Sequence, residues 1–132
     1  MKYLDLSPNL MVKDVRKAID FYTGLLGFKL LATVPETSEG PLDFAIIQSD
    51  NFMIMLQDAK SLKEELPQLL GLDKGGALTF YIHVSDVQQL YDKLKGKVTL
   101  VKDMHDTFYG SRDFAIEDLD GFILVFSQQM TQ

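Results

Sequence analysis

Two histidines, His83 and His105, are the only imidazoles in this chain, and there is no cysteine. That removes disulfides, thiolate metal sites and cysteine nucleophiles. Thr79, Tyr81 and His83 alternate onto one face of a predicted strand, so Tyr81 and His83 can act as a hydrogen-bonding pair toward a ligand. The alternative is a His83 at a solvated strand end beside Ser85. Spacing fixes no nucleophile and no carboxylate partner for it, so no catalytic residue is assigned. His105 lies close to Asp103 and Asp106, a set that can bind metal but is more often simply solvated.

The other chemistry on offer is recognition. Phe108 and Tyr109 precede Gly110, and a flat aromatic can stack on a planar ligand or a cation, typically worth about 0.5–2 kcal/mol. The same pair can instead plug a sheet edge or a subunit contact. Arg112 can hold a carboxylate or phosphate bidentately, or pair on the surface with Asp113, Glu117 or Asp118. Met11, Met53, Met55 and Tyr81 alternate onto inner strand faces, where methionine suits either an irregular apolar ligand or an ordinary core. Glu36 and Glu39 fall in a loop and can rim a cavity or stay solvated.

The elements that must carry these residues follow from pattern. Leu4 to Val12 is predicted as a strand, with Pro8 near its start or at an edge and with Leu10 and Val12 on one face. Asp14 caps a helix bearing Val15, Ala18, Ile19, Tyr22 and Leu26, and Gly27 ends it. Phe28 to Val34, Asp43 to Gln48 and Phe52 to Gln57 read as three further strands. Ser61-Leu62-Lys63-Glu64 resembles a capping box before Pro67, inside a connecting segment that closes on Gly71, Gly75 and Gly76. The order then repeats: a strand over Ala77 to Val84, a helix from Asp86 to Lys95 ended by Gly96, and strands over Val98 to Lys102, Asp113 to Glu117 and Phe122 to Ser127. Met104 to Ser111 reads as irregular.

The repeat is visible in the letters as well. Phe44-Ala45-Ile46 returns as Phe114-Ala115-Ile116, Asp50-Asn51-Phe52 as Asp120-Gly121-Phe122, and Leu10 to Val15 loosely as Ile82 to Val87. The expected fold is α+β: two tandem βαβββ units forming a partly open, barrel-like sheet with a central cavity. One domain is expected over 1–132, with the first unit at about 1–58, a linker at about 59–75 and the second unit at about 76–130.

Composition bounds the partners. A net charge of −6 disfavours nucleic acid, whose phosphates need a positive field. No apolar run approaches the roughly 18–20 residues needed to span a bilayer, and Met1 to Asp5 does not read as a signal peptide, so the expected setting is cytoplasmic.

These residues bear a family resemblance. Val12-Lys13-Asp14-Val15 running into Ala18-Ile19-Asp20-Phe21-Tyr22 and Leu25-Leu26-Gly27-Phe28, with Tyr109-Gly110-Ser111-Arg112-Asp113-Phe114 and Asp118-Leu119-Asp120-Gly121-Phe122, resembles the vicinal oxygen chelate superfamily. That superfamily includes glyoxalase I, extradiol dioxygenases and bleomycin-resistance proteins. The resemblance implies that metal-dependent members would place ligands at Ser7, Met55, Thr79 and Val125, residues that offer no imidazole or carboxylate. It also implies that an aromatic residue before Gly-x-Arg lines a drug pocket, which is the place of Phe108 and Tyr109. The resulting expectation is a small-molecule binder that sequesters a planar or cationic compound, without metal or other cofactor, as a homodimer. Its groove would be lined by Ser7, Met55, Tyr81, His83, Phe108, Tyr109, Arg112 and Val125. The alternatives are a metal-dependent lyase or dioxygenase with non-standard ligands, a metal-free isomerase, or a partner domain without a ligand.

Overall fold

The structure is a computed structural model in which residues 1–72, 75 and 78–130 are described. Gly76 and Ala77, expected at the linker end and a strand start, lie outside the described residues. The chain divides into two compact units, Met1–Lys74 and Gly75–Gln132.

In the first unit Asp14 caps as its residue type predicts: its side chain accepts from the Lys17 backbone N–H at 3.2 Å. The helix it opens, α1, covers Val15–Asp20 and widens into a π-helical turn over Phe21–Leu25. Gly27, at φ 78°, then turns the chain out in a conformation that suits a residue without Cβ. The strands are β1 (Asn9–Val12), β2 (Lys29–Val34), β3 (Phe44–Gln48) and β4 (Met53–Asp58). They form one sheet in the order β1-β4-β3-β2, in which β1 and β4 are parallel and the other neighbours antiparallel. Leu10, Val12, Ala45, Ile47, Ile54 and Leu56 are buried on one sheet face, and Val15, Ala18 and Ile19 are buried on α1.

The first strand is shorter than its pattern suggests. Tyr3, Leu4 and Leu6 are almost fully exposed, and pairing begins only at Asn9. Alternation alone does not make a strand, because each residue also needs a neighbour for its backbone groups. Pro8 does stand at the strand's head, where its carbonyl accepts from Met55 N–H at 2.8 Å.

The segment after β4 holds α2 (Ala59–Glu65), whose Leu62 is buried. Its cap is Asp58, which accepts from the Lys60 and Ser61 N–H groups, and not Ser61 as the capping-box pattern suggests. Gly75 opens the second unit in close contact with a turn: a Cβ there would lie 2.6 Å from the Gly121 carbonyl, so only glycine fits.

The second unit repeats the plan. It contains β5 (Thr79–His83), α3 (Val87–Leu94), β6 (Thr99–Asp106), β7 (Ser111–Glu117) and β8 (Ile123–Gln129), in the sheet order β5-β8-β7-β6. Asp86 caps α3 by accepting from Gln89 N–H at 3.0 Å, and Gly96, at φ 81°, follows it. Replacing Asp86 with Ala should cost about 1 kcal/mol, seen as a lower denaturant midpoint with unchanged slope. Val87 and Leu94 on α3 are buried, as are Phe114, Ile116, Leu124 and Phe126 of the sheet. The Tyr91 and Phe114 rings meet edge to face at 5.2 Å.

Here the segment expected to be irregular, Met104 to Ser111, is strand at both ends and a tight turn between. Strand β6 runs on through Met104 and His105 to Asp106, with register shifts between Leu100 and Lys102 and between Lys102 and His105. Pairing with β7 overrides the weak strand preference of Asp and Lys, and the bulges absorb the mismatch. The hairpin turn closes through Thr107 N–H to the Ser111 carbonyl at 2.8 Å, with Gly110 at φ 93°.

Candidate functional site

The side chains of β7 alternate. Phe114 and Ile116 lie on the face buried with α3, so Ser111, Asp113 and Ala115 point to the other face. Cross-strand neighbours share a face. Asp113 therefore stands beside Ser127 of β8 and His105 of β6, and Val125 stands beside Tyr81 of β5 and Ala115. This face collects a polar cluster at one end. The Tyr81 hydroxyl lies 3.0 Å from Asp113 Oδ2 and 2.9 Å from Ser127 Oγ. The Ser111 hydroxyl donates to Asp113 Oδ1 at 2.8 Å, and the Tyr109 hydroxyl reaches Oδ2 at 3.5 Å. Thr107 supports Ser111 through hydroxyl and backbone contacts of 2.9 and 3.0 Å.

Asp113 is only 3% exposed. Burial pushes its carboxyl pKa up, but hydrogen bonds from Ser127, Ser111 and Tyr81, with the field of His105, more than offset that and hold it below the ordinary value. The Tyr109 phenol is shifted up, first by its hydrogen bond with Tyr81, then by burial and by the neighbouring Tyr81 and Asp113. His105 keeps its Nδ1 2.8 Å from the Asp103 carbonyl, so that nitrogen acts as donor.

The two rings whose hydroxyls reach this carboxylate, and the Phe108 ring beside Tyr109, are exposed. Tyr81 is 45% exposed, Tyr109 52% and Phe108 99%. Phe108 and Tyr109 meet edge to face at 4.9 Å, and His83 meets Tyr81 the same way at 5.2 Å. Together these supply ring faces and polar oxygens to a molecule arriving from solvent.

Five of the expected groove residues thus share this region: Tyr81, His83, Phe108, Tyr109 and Val125. Arg112 does not join them. It lies on the opposite strand face and forms a salt bridge with Asp106 at 2.7 Å, which raises the Arg112 pKa and lowers that of Asp106. Ser7 and Met55 belong to the first unit, where both are half-buried. Asp113, Ser111 and Ser127 were not singled out as ligand residues by sequence, and His105 was weighed only as part of a metal-binding set with Asp103 and Asp106. The signal for them is the alternation itself: once Phe114 and Ile116 are assigned to the helix side, their neighbours must face the other way.

A depression of about 390 Å³ in the first unit is lined by Lys13, Asp14, Arg16, Gly40, Leu42 and Asp58 among others. Its side chains already have structural tasks. Asp14 and Asp58 cap helices, and Arg16 donates to the Gly40 and Thr37 carbonyls at 2.6 and 2.9 Å. The Asp113 face is therefore the stronger candidate.

A family model for the Glyoxalase/Bleomycin resistance protein/Dioxygenase superfamily matches residues 6–126. The chain belongs to this superfamily. Within it, a bleomycin resistance protein of Geobacillus stearothermophilus is 29% identical over 132 residues, covering 93% of this chain and 95% of its own. An uncharacterized protein of Mycobacterium bovis is 31% identical over 121 residues, covering 86% and 75%. Among solved structures, a protein of unknown function from Agrobacterium tumefaciens superposes with a TM-score of 0.78 at 19% identity, covering 97% of this chain and 95% of that one. The bleomycin-binding protein of Streptomyces verticillus, solved with copper(II)-bleomycin, superposes at 0.62 and 20% identity over 96% of each chain. These structural likenesses establish the α+β fold of two βαβββ units.

The positions that the superfamily resemblance assigns to metal ligands can be tested against their surroundings. Met55 and Val125 lie mid-strand, flanked by buried Ile54 and Leu56 and by buried Leu124 and Phe126. No register slip brings an imidazole or carboxylate to either place. Thr79 and Ser7 offer only hydroxyls, which are weak ligands for the transition metals that such sites hold. Among the described residues no group of three His, Cys, Asp or Glu side chains is placed to hold a metal ion. The donor set does not fit a metal centre of the superfamily's enzymes.

Proposed function

We propose that this protein binds a planar or cationic small molecule of the bleomycin type and sequesters it unchanged, without a metal of its own. The observation that carries the reading is the pair of exposed rings, Tyr109 and Tyr81, whose hydroxyls reach buried Asp113, with exposed Phe108 against Tyr109. Such rings are costly to leave in water and gain on stacking, while the fixed hydroxyls orient what they hold. The matches to bleomycin resistance proteins support the ligand class. The reading includes a homodimer, carried by the superfamily resemblance, which sedimentation velocity checks.

Calorimetric titration with metal-free bleomycin and with copper-loaded bleomycin tests it, with mass spectrometry of the recovered drug. Saturable binding with the drug recovered intact is expected. Replacing Phe108 and Tyr109 together with Ala should weaken that binding about tenfold, the loss of one good stacking platform. Recovery of a chemically altered compound would overturn sequestration. Unchanged affinity in the double variant would remove this face from the binding site.

A further inference from the structure

The hydroxyl protons around Asp113 can be counted. Tyr81, Ser111, Ser127 and Tyr109 each carry one O–H proton, and an ionised carboxylate is acceptor-only. Ser111 uses its proton on Asp113 Oδ1. Tyr81 and Ser127 contact each other and the carboxylate, so whichever of them donates to Asp113, the other's proton fills the bond between them. Tyr109 is within 3.5 Å of the same carboxylate oxygen. Every proton is turned inward. With their protons spent inside the cluster, the half-exposed Tyr81 and Tyr109 have only lone pairs and ring faces left to offer a ligand. Among the described residues no Lys or Arg forms a salt bridge with Asp113; the basic side chain whose field reaches it is His105. A buried carboxylate, an outward set of acceptors and two ring faces all favour the same visitor.

Resting on the ligand-binding reading above, we infer that this face selects a ligand carrying an N–H-bearing cation, an amidinium or ammonium, received on the Tyr81 oxygen and the Tyr81 and Tyr109 rings. Asp113 is the positioning residue. It is buried, keeps the cluster's protons directed inward, and so leaves the tyrosine oxygens able to act toward a ligand only as acceptors. A neutral ligand of the same shape gains stacking but not the charge interaction. A carboxylate or phosphate ligand meets repulsion here, which also explains why Arg112, turned to the other strand face, is not needed.

The test compares benzamidinium with benzamide, two planar fragments of the same ring size that both offer N–H donors and differ in charge. Each is titrated at neutral pH and low salt into 15N-labelled protein. Benzamidinium should bind about two- to fivefold more tightly, with amide shifts centred on Tyr81, Tyr109 to Asp113 and Ser127. The ratio should fall in Asp113→Asn, which keeps both rings but removes the charge, and fall less in Tyr81→Phe. A merely structural Asp113 would weaken both fragments together and leave the ratio intact, so a retained ratio in Asp113→Asn overturns the inference. If that variant does not fold, Tyr81→Phe decides by the same ratio. Equal affinities in the unmodified protein, with the same amides shifting, overturn the cation preference and leave the binding face standing. Absence of shifts on this face from either fragment overturns both.

Discussion

Replacing Phe114 with Ala should destabilise the protein by about 3–5 kcal/mol, while replacing Phe44 with Ala should cost far less. The two residues occupy matching places in the written repeat Phe-Ala-Ile, so the sequence alone gives no reason for them to differ. The pairing does. Leu10 pairs with Leu56 in the first unit, and Ile82 with Phe126 in the second, which makes Leu56 and Phe126 counterparts. Leu56 pairs across with Ala45, but Phe126 pairs with Phe114. Ala45 and Phe114 are therefore the true counterparts, and the two copies of Phe-Ala-Ile are out of step by one residue. A slip of one turns every side chain to the other face. Phe114 is fully buried, packed with Tyr91 at 5.2 Å and Phe126 at 5.3 Å, whereas Phe44 is only half-buried. Truncating Phe114 opens a cavity in a layer that cannot close over it, and truncating Phe44 trims a surface water already reaches. Urea unfolding of the two variants separates the readings: equal losses would restore the written register.

The same comparison shows what could be read from the residues. Helix ends were legible because their causes are local: Asp14 and Asp86 accept from the third residue onward, and Gly27 and Gly96 adopt positive φ just beyond. The unit order was legible because each unit repeats its strands and helix in sequence. Strand limits were not. Leu4 and Leu6 alternate correctly but find no neighbour, and β6 extends through His105 because β7 is there to pair with it. Both facts depend on residues far along the chain. The site was legible in part for the same reason. Phe108 and Tyr109 announce themselves by type, but Asp113 becomes interesting only when strand pairing sets it beside Ser127 and Tyr81. Asp113 read as a surface partner for Arg112 because the two are adjacent, yet adjacency in a strand sends them to opposite faces.

Replacing Asp113 with Asn should lower stability at neutral pH by about 2 kcal/mol, the scale of hydrogen bonds to a buried charged group, and the deficit should vanish in acid. Burial alone would make this carboxyl hard to ionise. The hydrogen bonds from Ser127, Ser111 and Tyr81, aided by His105, reverse that and set its folded pKa below the ordinary carboxylate value. A group whose folded pKa is depressed adds stability that is fully present above the unfolded pKa, near 4 for Asp. That contribution is lost as pH falls through the folded value. The original protein should therefore lose this part of its stability on acidification below about pH 4, where the carboxylate takes up a proton. The Asn variant has no such proton to bind, so its stability curve should lack that component and approach the original at low pH. Urea midpoints measured from pH 7 down to pH 3 for both proteins give the difference directly. A gap that stays constant across the range would mean that Asp113 contributes by shape and not by charge, and the reading of its four hydroxyl neighbours as a cradle for an anion would fall with it.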